Sequence, residues 1–219
     1  MKQYTVTIKG ESPLLMHQDN IAWSEKVRAW SKDPANRDKS VAGDDRTPCW
    51  TWLGYVYHDG KTIGMPSDNL MTMFREGGAK VPKGGKATFK KETQAGILID
   101  QQQWELTIAG KPIQVANLNK IAKLEEFAEH IEAAEALGFE LLVKRAKIGA
   151  AKHVRVRPLF REWELRGSFT VLDPERTGLT RQVLQTILDQ AGALCGLGDW
   201  RPSSPKSPGV FGRFWATIE

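Results

Sequence analysis

The C-terminal stretch of the chain, residues 196–219, restricts the fold more than any other part of the sequence. An amphipathic helical pattern over residues 179–194 stops before Gly196, and residues 214–218 have the composition of a strand. Between them, four glycines and three prolines exclude a continued helix. The chain therefore has to pass from a helix through an irregular loop into a final strand.

This C-terminal loop combines cations with aromatic side chains. They are Arg201, Lys206 and Arg213, interleaved with Trp200, Phe211 and Phe214. Glycine allows another backbone to approach closely, a cation can neutralise a phosphate, and a base can stack on an aromatic ring. The composition therefore favours a nucleic-acid-binding loop. A connection that is merely rich in glycine and proline remains the alternative.

The overall composition is that of a globular protein with a sizeable core. The 219 residues are 41% hydrophobic and 26% charged, with a formal net charge of +5, which fits one large domain. Two cysteines and four scattered histidines exclude a disulfide framework and provide no metal-ligand spacing, so no metal or cofactor is expected. With neither a signal-like segment nor a membrane-length apolar run, the expected location is the cytoplasm and no membrane partner is expected.

The order of predicted elements favours an α+β fold. Alternating residues predict strands at 4–8, 50–57, 96–100, 104–108, 163–172 and 214–218, and 3.6-residue spacing predicts helices at 66–76, 117–138 and 179–194. The order strand, helix, strand, strand, helix, strand is typical of a modified ferredoxin-like or RRM-like domain, here spanning residues 1–219. Its insertions and its glycine-rich C-terminal loop modify the basic pattern.

Two segments are predicted to be insertions into that domain. Residues 18–49 are polar with little apolar periodicity and are interpreted as an arm that contacts a partner, with a mobile surface loop as the alternative. Residues 79–115 begin with a lysine- and glycine-rich stretch and are interpreted as a β-hairpin insertion.

The densest positive charge lies between residues 144 and 166. The segment contains eight lysines and arginines and only two acidic residues, Glu162 and Glu164. Its net charge is therefore +6, and that of the rest of the chain is about −1. In a strand, His153, Arg155 and Arg157 would share one face because side chains alternate. A charge run of one sign predicts phosphate contact more than a solvated surface, which usually mixes signs.

Three segments resemble proteins of the RAMP superfamily. Ile63-Gly-Met-Pro66 with Asn69, Leu70 and Arg75 is similar to the start of that family's first helix, although Asn69 stands where the family usually has serine. Gly209-Val-Phe-Gly-Arg-Phe214 resembles its glycine-rich loop, here longer and richer in proline, and residues 8–17 resemble its first strand. The resemblance implies an RRM-like core. Within the superfamily, the chain most resembles the repeated backbone subunit that coats guide RNA in CRISPR effector complexes, or a phage or mobile-element relative of it.

The leading hypothesis is a non-catalytic subunit that binds single-stranded RNA or DNA and assembles into a filament, alone or with other effector subunits. The residues expected to bind nucleic acid are Lys144, Arg145, Lys147, Lys152, His153, Arg155, Arg157, Arg201, Gly209, Phe211, Gly212 and Arg213.

Two alternatives remain. One is an endoribonuclease that uses His17 or His153 as general base, or an acidic residue such as Asp33 or Asp38 with a metal. The other is a structural phage protein.

Overall fold

A computed structural model describes the backbone of residues 1–148 and 151–219, and side chains outside residues 147–152. In chain order, the described strands and helices are β1 (Lys2–Gly10), β2 (Leu14–Leu15), α1 (Ile21–Lys32), β3 (Gly64–Pro66), α2 (Ser67–Gly78), β4 (Pro82–Gly84), β5 (Ala87–Thr88), α3 (Lys90–Gly96), β6 (Ile97–Ile99), β7 (Gln103–Ile108), β8 (Lys111–Pro112), α4 (Val115–Ile121), α5 (Phe127–Ala136), β9 (Glu140–Ile148), β10 (Ala151–Phe160), β11 (Glu164–Val171), α6 (Pro174–Thr177), α7 (Arg181–Gln190) and β12 (Phe214–Ile218). Helices and antiparallel sheets are mixed, which confirms the α+β class.

The chain forms two compact units. The first consists of Met1–Leu15, His58–Ile113 and Arg161–Glu219, and the second of Met16–Tyr57 and Gln114–Phe160. The residues predicted to be an inserted arm, 18–49, belong to the second unit and contain α1. Within the other predicted insertion, residues 79–115, β4 and β5 form a short antiparallel hairpin. The prediction is wrong for the later part of this range, because β6 and β7 both pair with β11.

The first unit is built on an antiparallel sheet with strand order β12-β1-β11-β7-β3. Val6, Ile8, Leu165 and Phe169 are fully buried on the central strands. The ring of Phe74, from α2, lies 4.8 Å from that of Phe169 and so packs this helix on the sheet. The sheet core therefore rests on side chains that the apolar periodicity of the sequence selects.

The edge strand of this sheet, β12, is capped by side chains of α7. The Gln185 amide donates to the Ala216 carbonyl at 2.7 Å, and its oxygen accepts from the Ile218 N–H at 3.2 Å. Arg181 donates to the Ile218 carbonyl at 2.6 Å. These contacts satisfy backbone groups that would otherwise pair with another strand, which protects the edge from sheet-to-sheet association.

Most predicted elements of the first unit are confirmed. The helix predicted to start beside Pro66 is α2, and the predicted strand at 163–172 is β11. The helix predicted at 179–194 is α7, whose N-cap Thr180 accepts from the Val183 N–H, followed by a π-helical turn over Ala191–Cys195.

Two predictions for the second unit are wrong. Residues 51–55 form a 3-10 helix and not a strand, because Thr51 to Gly54 are buried in succession and need no alternating exposure. The single helix predicted at 117–138 is two helices, α4 and α5. The second starts separately because the Glu129 carboxylate accepts from the Glu126 N–H at 3.2 Å, as in a capping box.

The core of the second unit contains a buried hydrogen-bonded histidine. Trp52 is fully buried, and its indole N–H donates to His130 Nδ1 at 3.0 Å. The other ring nitrogen, Nε2, lies 3.2 Å from the Leu124 carbonyl oxygen and donates to it. Because one ring nitrogen accepts and the other donates, the native state selects the neutral imidazole with its proton on Nε2.

This histidine makes the stability of the second unit depend on pH. Burial lowers the pKa of His130 below the value of about 6.5 that it has in the unfolded chain. Between these two values the unfolded state binds the extra proton, so the free energy of unfolding should fall as pH decreases below about 6.5, by up to about 1.4 kcal/mol per pH unit. Urea unfolding at pH 5 to 8 measures this slope.

The exposed His58 provides the matched control for that experiment. His58→Gln should retain the wild-type slope, and His130→Gln should flatten it while lowering stability at pH 8. Equal slopes for wild type and His130→Gln would contradict the assignment.

Candidate nucleic-acid interface

Strands β9 and β10 pair as an antiparallel ribbon that collects basic side chains on one face. The register places Lys144 opposite Arg155, Ala146 opposite His153 and Leu142 opposite Arg157. Directly opposed side chains share a face of a sheet, so Lys144, His153, Arg155 and Arg157 lie together. We call these four side chains the basic face. The prediction that His153, Arg155 and Arg157 share a face is confirmed, and the register adds Lys144.

One further predicted binding residue of this ribbon, Arg145, is placed differently. Arg145 is exposed on the opposite face, beside the partly exposed Val143. The side chains of Lys147 and Lys152 lie outside the described residues. Arg145 therefore carries the same charge as Lys144 on the opposite face of the same strand.

Residues 43–45, near the end of the 18–49 region, run along the edge of β10 that does not pair with β9. The Val154 N–H donates to the Gly43 carbonyl at 2.8 Å, and the Asp45 N–H donates to the Val154 carbonyl at 3.0 Å. The imidazole of His153 lies so close to Gly43 that a Cβ there would overlap Nδ1. This part of the inserted segment is therefore integrated into the second unit through backbone hydrogen bonds.

Asp45 holds the centre of the basic face in place. Its carboxylate accepts from Arg155 Nη1 at 2.9 Å, from the Tyr55 hydroxyl at 3.0 Å and from the Val156 N–H at 3.2 Å, with only 5% of the residue exposed. Burial and the neighbouring carboxylate raise the pKa of Tyr55 to about 12, so the phenol stays protonated and donates. Arg155 is thus partly neutralised and fixed in orientation, and its contact with phosphate remains a prediction.

A cleft opens beside Arg155. It has a volume of about 180 Å³ and is lined by Gln18, Asn20, Trp23, Ser24, Val27, Asp45, Thr51, Gly54, Tyr55 and Arg155. Asn20 caps α1 by accepting from the Trp23 N–H at 3.0 Å, which fixes where that helix begins. The wall of the cleft thus combines α1, the 3-10 helix and the strand that carries the basic face.

The indole of Trp23 is held firmly in that wall. It lies against Gly54, where a Cβ would overlap the ring, and meets Trp50 edge-on at a centroid distance of 5.5 Å. The ammonium of Lys26 lies 4.5 Å from the Trp23 ring centroid and 4.6 Å from that of Trp50. The two aromatic rings are thereby fixed under one cation.

The C-terminal loop uses its predicted binding residues mainly for its own packing. A Cβ on Gly209 would overlap the Trp200 carbonyl, and one on Gly212 would overlap the Leu197 carbonyl. The backbone that these two glycines admit is therefore that of the loop itself. Phe211 lies 6.2 Å from Trp200, ring to ring.

The two arginines predicted to bind nucleic acid in this loop contact other elements of the first unit. Arg201 pairs with Glu76 at 3.2 Å and lines a cavity of about 110 Å³ beside α2. Arg213 is exposed and donates from Nη1 to the Ala193 carbonyl at 2.8 Å. Phe214 is buried against Trp163, so the suggestion that it stacks on bases is wrong.

The two predicted binding segments belong to different units. The β9–β10 ribbon lies in the second unit, and the C-terminal loop lies in the first. The basic segment itself is divided, since Arg166 is on β11 of the first unit and pairs with Glu219 at 2.7 Å. The candidate interface is therefore assigned to the second unit, where the basic face and the cleft share Arg155.

Most residues of the cleft carry no signal in the sequence. Gln18, Asp45 and Tyr55 carry no motif, and their association with Arg155 appears only after folding. Trp23 had one available signal, because a tryptophan in a polar, charged segment requires a partner that covers it.

Comparison with known proteins gives no family assignment. No protein-family model matches the chain, and no curated protein has a sequence similar to it. Across the described residues, no group of three or more histidine, cysteine, aspartate or glutamate side chains is arranged to hold a metal ion. None of the described helices combines the length and the apolar composition needed to cross a bilayer.

Proposed function

We propose that this chain is a non-catalytic subunit that binds single-stranded nucleic acid, RNA in particular, and assembles side by side into a filament. The observation that carries the proposal is the basic face, where the ribbon register brings Lys144, His153, Arg155 and Arg157 together. Proteins that bind single strands neutralise successive phosphates with basic side chains, and a strand face that carries several of them provides such a surface. The proposal includes a cytoplasmic ribonucleoprotein of the RAMP type, with other effector subunits as further partners.

The strand order of the first unit supports the finer fold assignment in this proposal. Taken with α2 and α7, the strands β1, β7, β11 and β12 follow the order strand, helix, strand, strand, helix, strand. In the sheet they lie in the order fourth, first, third, second. A ferredoxin-like or RRM-like core has this connectivity, and the second unit would then be an elaboration that supplies the basic face.

Salt dependence of binding tests the proposed function. Labelled single-stranded RNA and DNA should bind the full chain with an affinity that falls steeply as salt rises, because phosphate contacts release counterions. Lys144→Ala should make the slope of log K against log salt shallower by about 0.7, the value for one phosphate contact on a single strand. Fluorescence anisotropy over a salt series from low to above physiological concentration measures both quantities.

Arg145→Ala is the matched control, since it removes an equal charge from the opposite face of the same strand. Its slope should stay close to that of wild type. Equal changes in both variants would contradict the assignment to the basic face. Absence of binding to either oligonucleotide at the lowest salt would contradict the function itself.

The same oligonucleotides also test filament formation and cleavage. Light scattering should show particles whose mass grows with oligonucleotide length, and the oligonucleotides should remain intact. Shortened products that disappear in His153→Ala would replace the non-catalytic proposal with the nuclease alternative.

A further inference from the structure

We infer that the cleft beside Arg155 is a subsite for one unstacked pyrimidine base of the bound strand. This inference rests on the proposed function and names what the second unit recognises besides phosphate. It is carried by three properties of the cleft, namely its size, its unpartnered polar atoms and its continuity with the basic face.

The size of the cleft fits a single aromatic ring. A cavity of about 150 Å³ in another protein holds benzene, and this cleft has about 180 Å³. The difference leaves room for the exocyclic atoms of a pyrimidine, so the smaller bases match the volume best. The rings of Trp23 and Tyr55 lie in its wall, as in sites where single-stranded bases stack on aromatic side chains.

Within the part of the chain that the structure describes, two buried polar atoms of cleft-lining residues lack hydrogen-bond partners. They are the indole nitrogen of Trp23, a donor, and the amide oxygen of Gln18, an acceptor. Buried polar groups in folded proteins are almost always paired, so the unpaired donor and acceptor of these two cleft-lining residues favour a ligand that supplies both complements. The edge of uracil or cytosine presents a donor next to an acceptor, which meets this requirement.

The cleft and the basic face meet at Arg155. This side chain lines the cleft and stands opposite Lys144 in the ribbon. A base in the cleft would therefore leave its sugar and phosphate at the basic face. The Asp45 carboxylate accepts hydrogen bonds from Arg155 and from the Tyr55 hydroxyl, and so holds both side chains in position before binding. This lowers the entropic cost of ordering them around a ligand.

The test compares affinity with salt slope in the full-length chain. Trp23→Leu should weaken binding to oligouridine about 5- to 150-fold, the range for loss of one stacked base. Its salt slope should stay that of wild type because no phosphate contact is lost. Gln18→Leu should weaken oligouridine binding and reduce the preference for oligouridine and oligocytidine over oligoadenosine that we expect of wild type.

Trp30→Leu is the matched control, because it makes the same change on the same helix at a residue that does not line the cleft. It should bind like wild type, and circular dichroism should show that all three variants are folded. Free uridine should bind far more weakly than the oligonucleotide.

The outcomes separate the inference from the function on which it rests. If wild type binds with a steep salt slope but both cleft variants bind equally well, the base subsite is overturned and the proposed function stands. Tighter binding of oligoadenosine, or of free uridine, would also overturn it. If wild type binds no oligonucleotide, the proposed function fails first and the inference fails with it.

Discussion

Replacing Gly212 with alanine is expected to lower the free energy of unfolding by about 2–5 kcal/mol. Gly212 has a φ of +74°, a conformation that costs an alanine about 1–2 kcal/mol. Its Cβ would also overlap the Leu197 carbonyl, and overpacking adds about 1–3 kcal/mol. Relief of the overlap would disturb the hydrogen bonds from Gly212 N to Pro13 O (2.8 Å) and from Leu197 N to Gly212 O (2.9 Å).

Two other glycines separate these contributions. Gly110 has the same φ of +74°, and no described atom lies within 4 Å of the position that a Cβ would take there, so Gly110→Ala should show only the conformational cost, about 1–2 kcal/mol. Gly209 lacks a positive φ, but its Cβ would overlap the Trp200 carbonyl, so Gly209→Ala should show mainly the overlap. Urea unfolding followed by circular dichroism measures all three.

The Gly212 variant also decides what the C-terminal loop does. A stability loss no larger than that of Gly110→Ala would show that the loop relaxes easily. If binding of single-stranded RNA were lost at the same time, the loop would be a ligand-contacting surface, as the sequence suggests. A large stability loss assigns Gly212 to the packing of the first unit.

The sequence predicts best those elements whose local signals agree with their burial. Helix α7 has an N-cap threonine, a 3.6-residue apolar stripe and a packing partner in the sheet, so each level of structure indicates the same element. The alternation of His153, Arg155 and Arg157 likewise shows their common face, because a strand has a period of two. Their partnership with Lys144 needs the register of the ribbon, which a single sequence does not contain.

The predictions fail where tertiary burial overrides a local pattern. The aromatic run at 50–57 has strand propensity, yet Trp52 is enclosed by Phe139 and His130 in a 3-10 segment. Propensity describes how well a residue fits a pleated surface, and it gives little information where a side chain is surrounded on every side. The cleft is still harder to predict from the sequence, because Asp45 and Arg155 are separated by 110 positions.

Asp45→Ala is expected to destabilise the second unit by about 3 kcal/mol. The change removes the carboxylate that accepts three hydrogen bonds, from Arg155 Nη1, the Tyr55 hydroxyl and the Val156 N–H, and leaves Arg155 only its longer contact with the Tyr55 hydroxyl. Loss of one partner from a buried ion pair typically costs about 3–5 kcal/mol. Since 26% of the Arg155 side chain is exposed and can be rehydrated, the lower end of that range applies. Chemical unfolding at neutral pH measures the effect.

The neighbouring Asp44 provides the control, because its ion pair with Arg46 is local and Arg46 is half exposed. Asp44→Ala should cost only about 1 kcal/mol. The double variant Asp45→Ala, Arg155→Met should recover part of the loss, since the unpaired charge is removed. Without such recovery, the Asp45 carboxylate would be stabilising the unit mainly through Tyr55 and the Val156 N–H.

The same variant tests whether Arg155 can serve the nucleic-acid interface once it is released. Asp45→Ala adds one net positive charge at the basic face and frees the Arg155 guanidinium from its partner. Under conditions where the variant is folded, its salt slope for single-stranded RNA should become steeper by about 0.7, the increment for one more phosphate contact. An unchanged slope would limit Arg155 to positioning Tyr55 and the cleft, and would leave Lys144 as the phosphate contact of this face. A lower free energy of unfolding together with a steeper salt slope would show that Asp45 has two roles. It stabilises the second unit, and it keeps the Arg155 guanidinium from contacting phosphate.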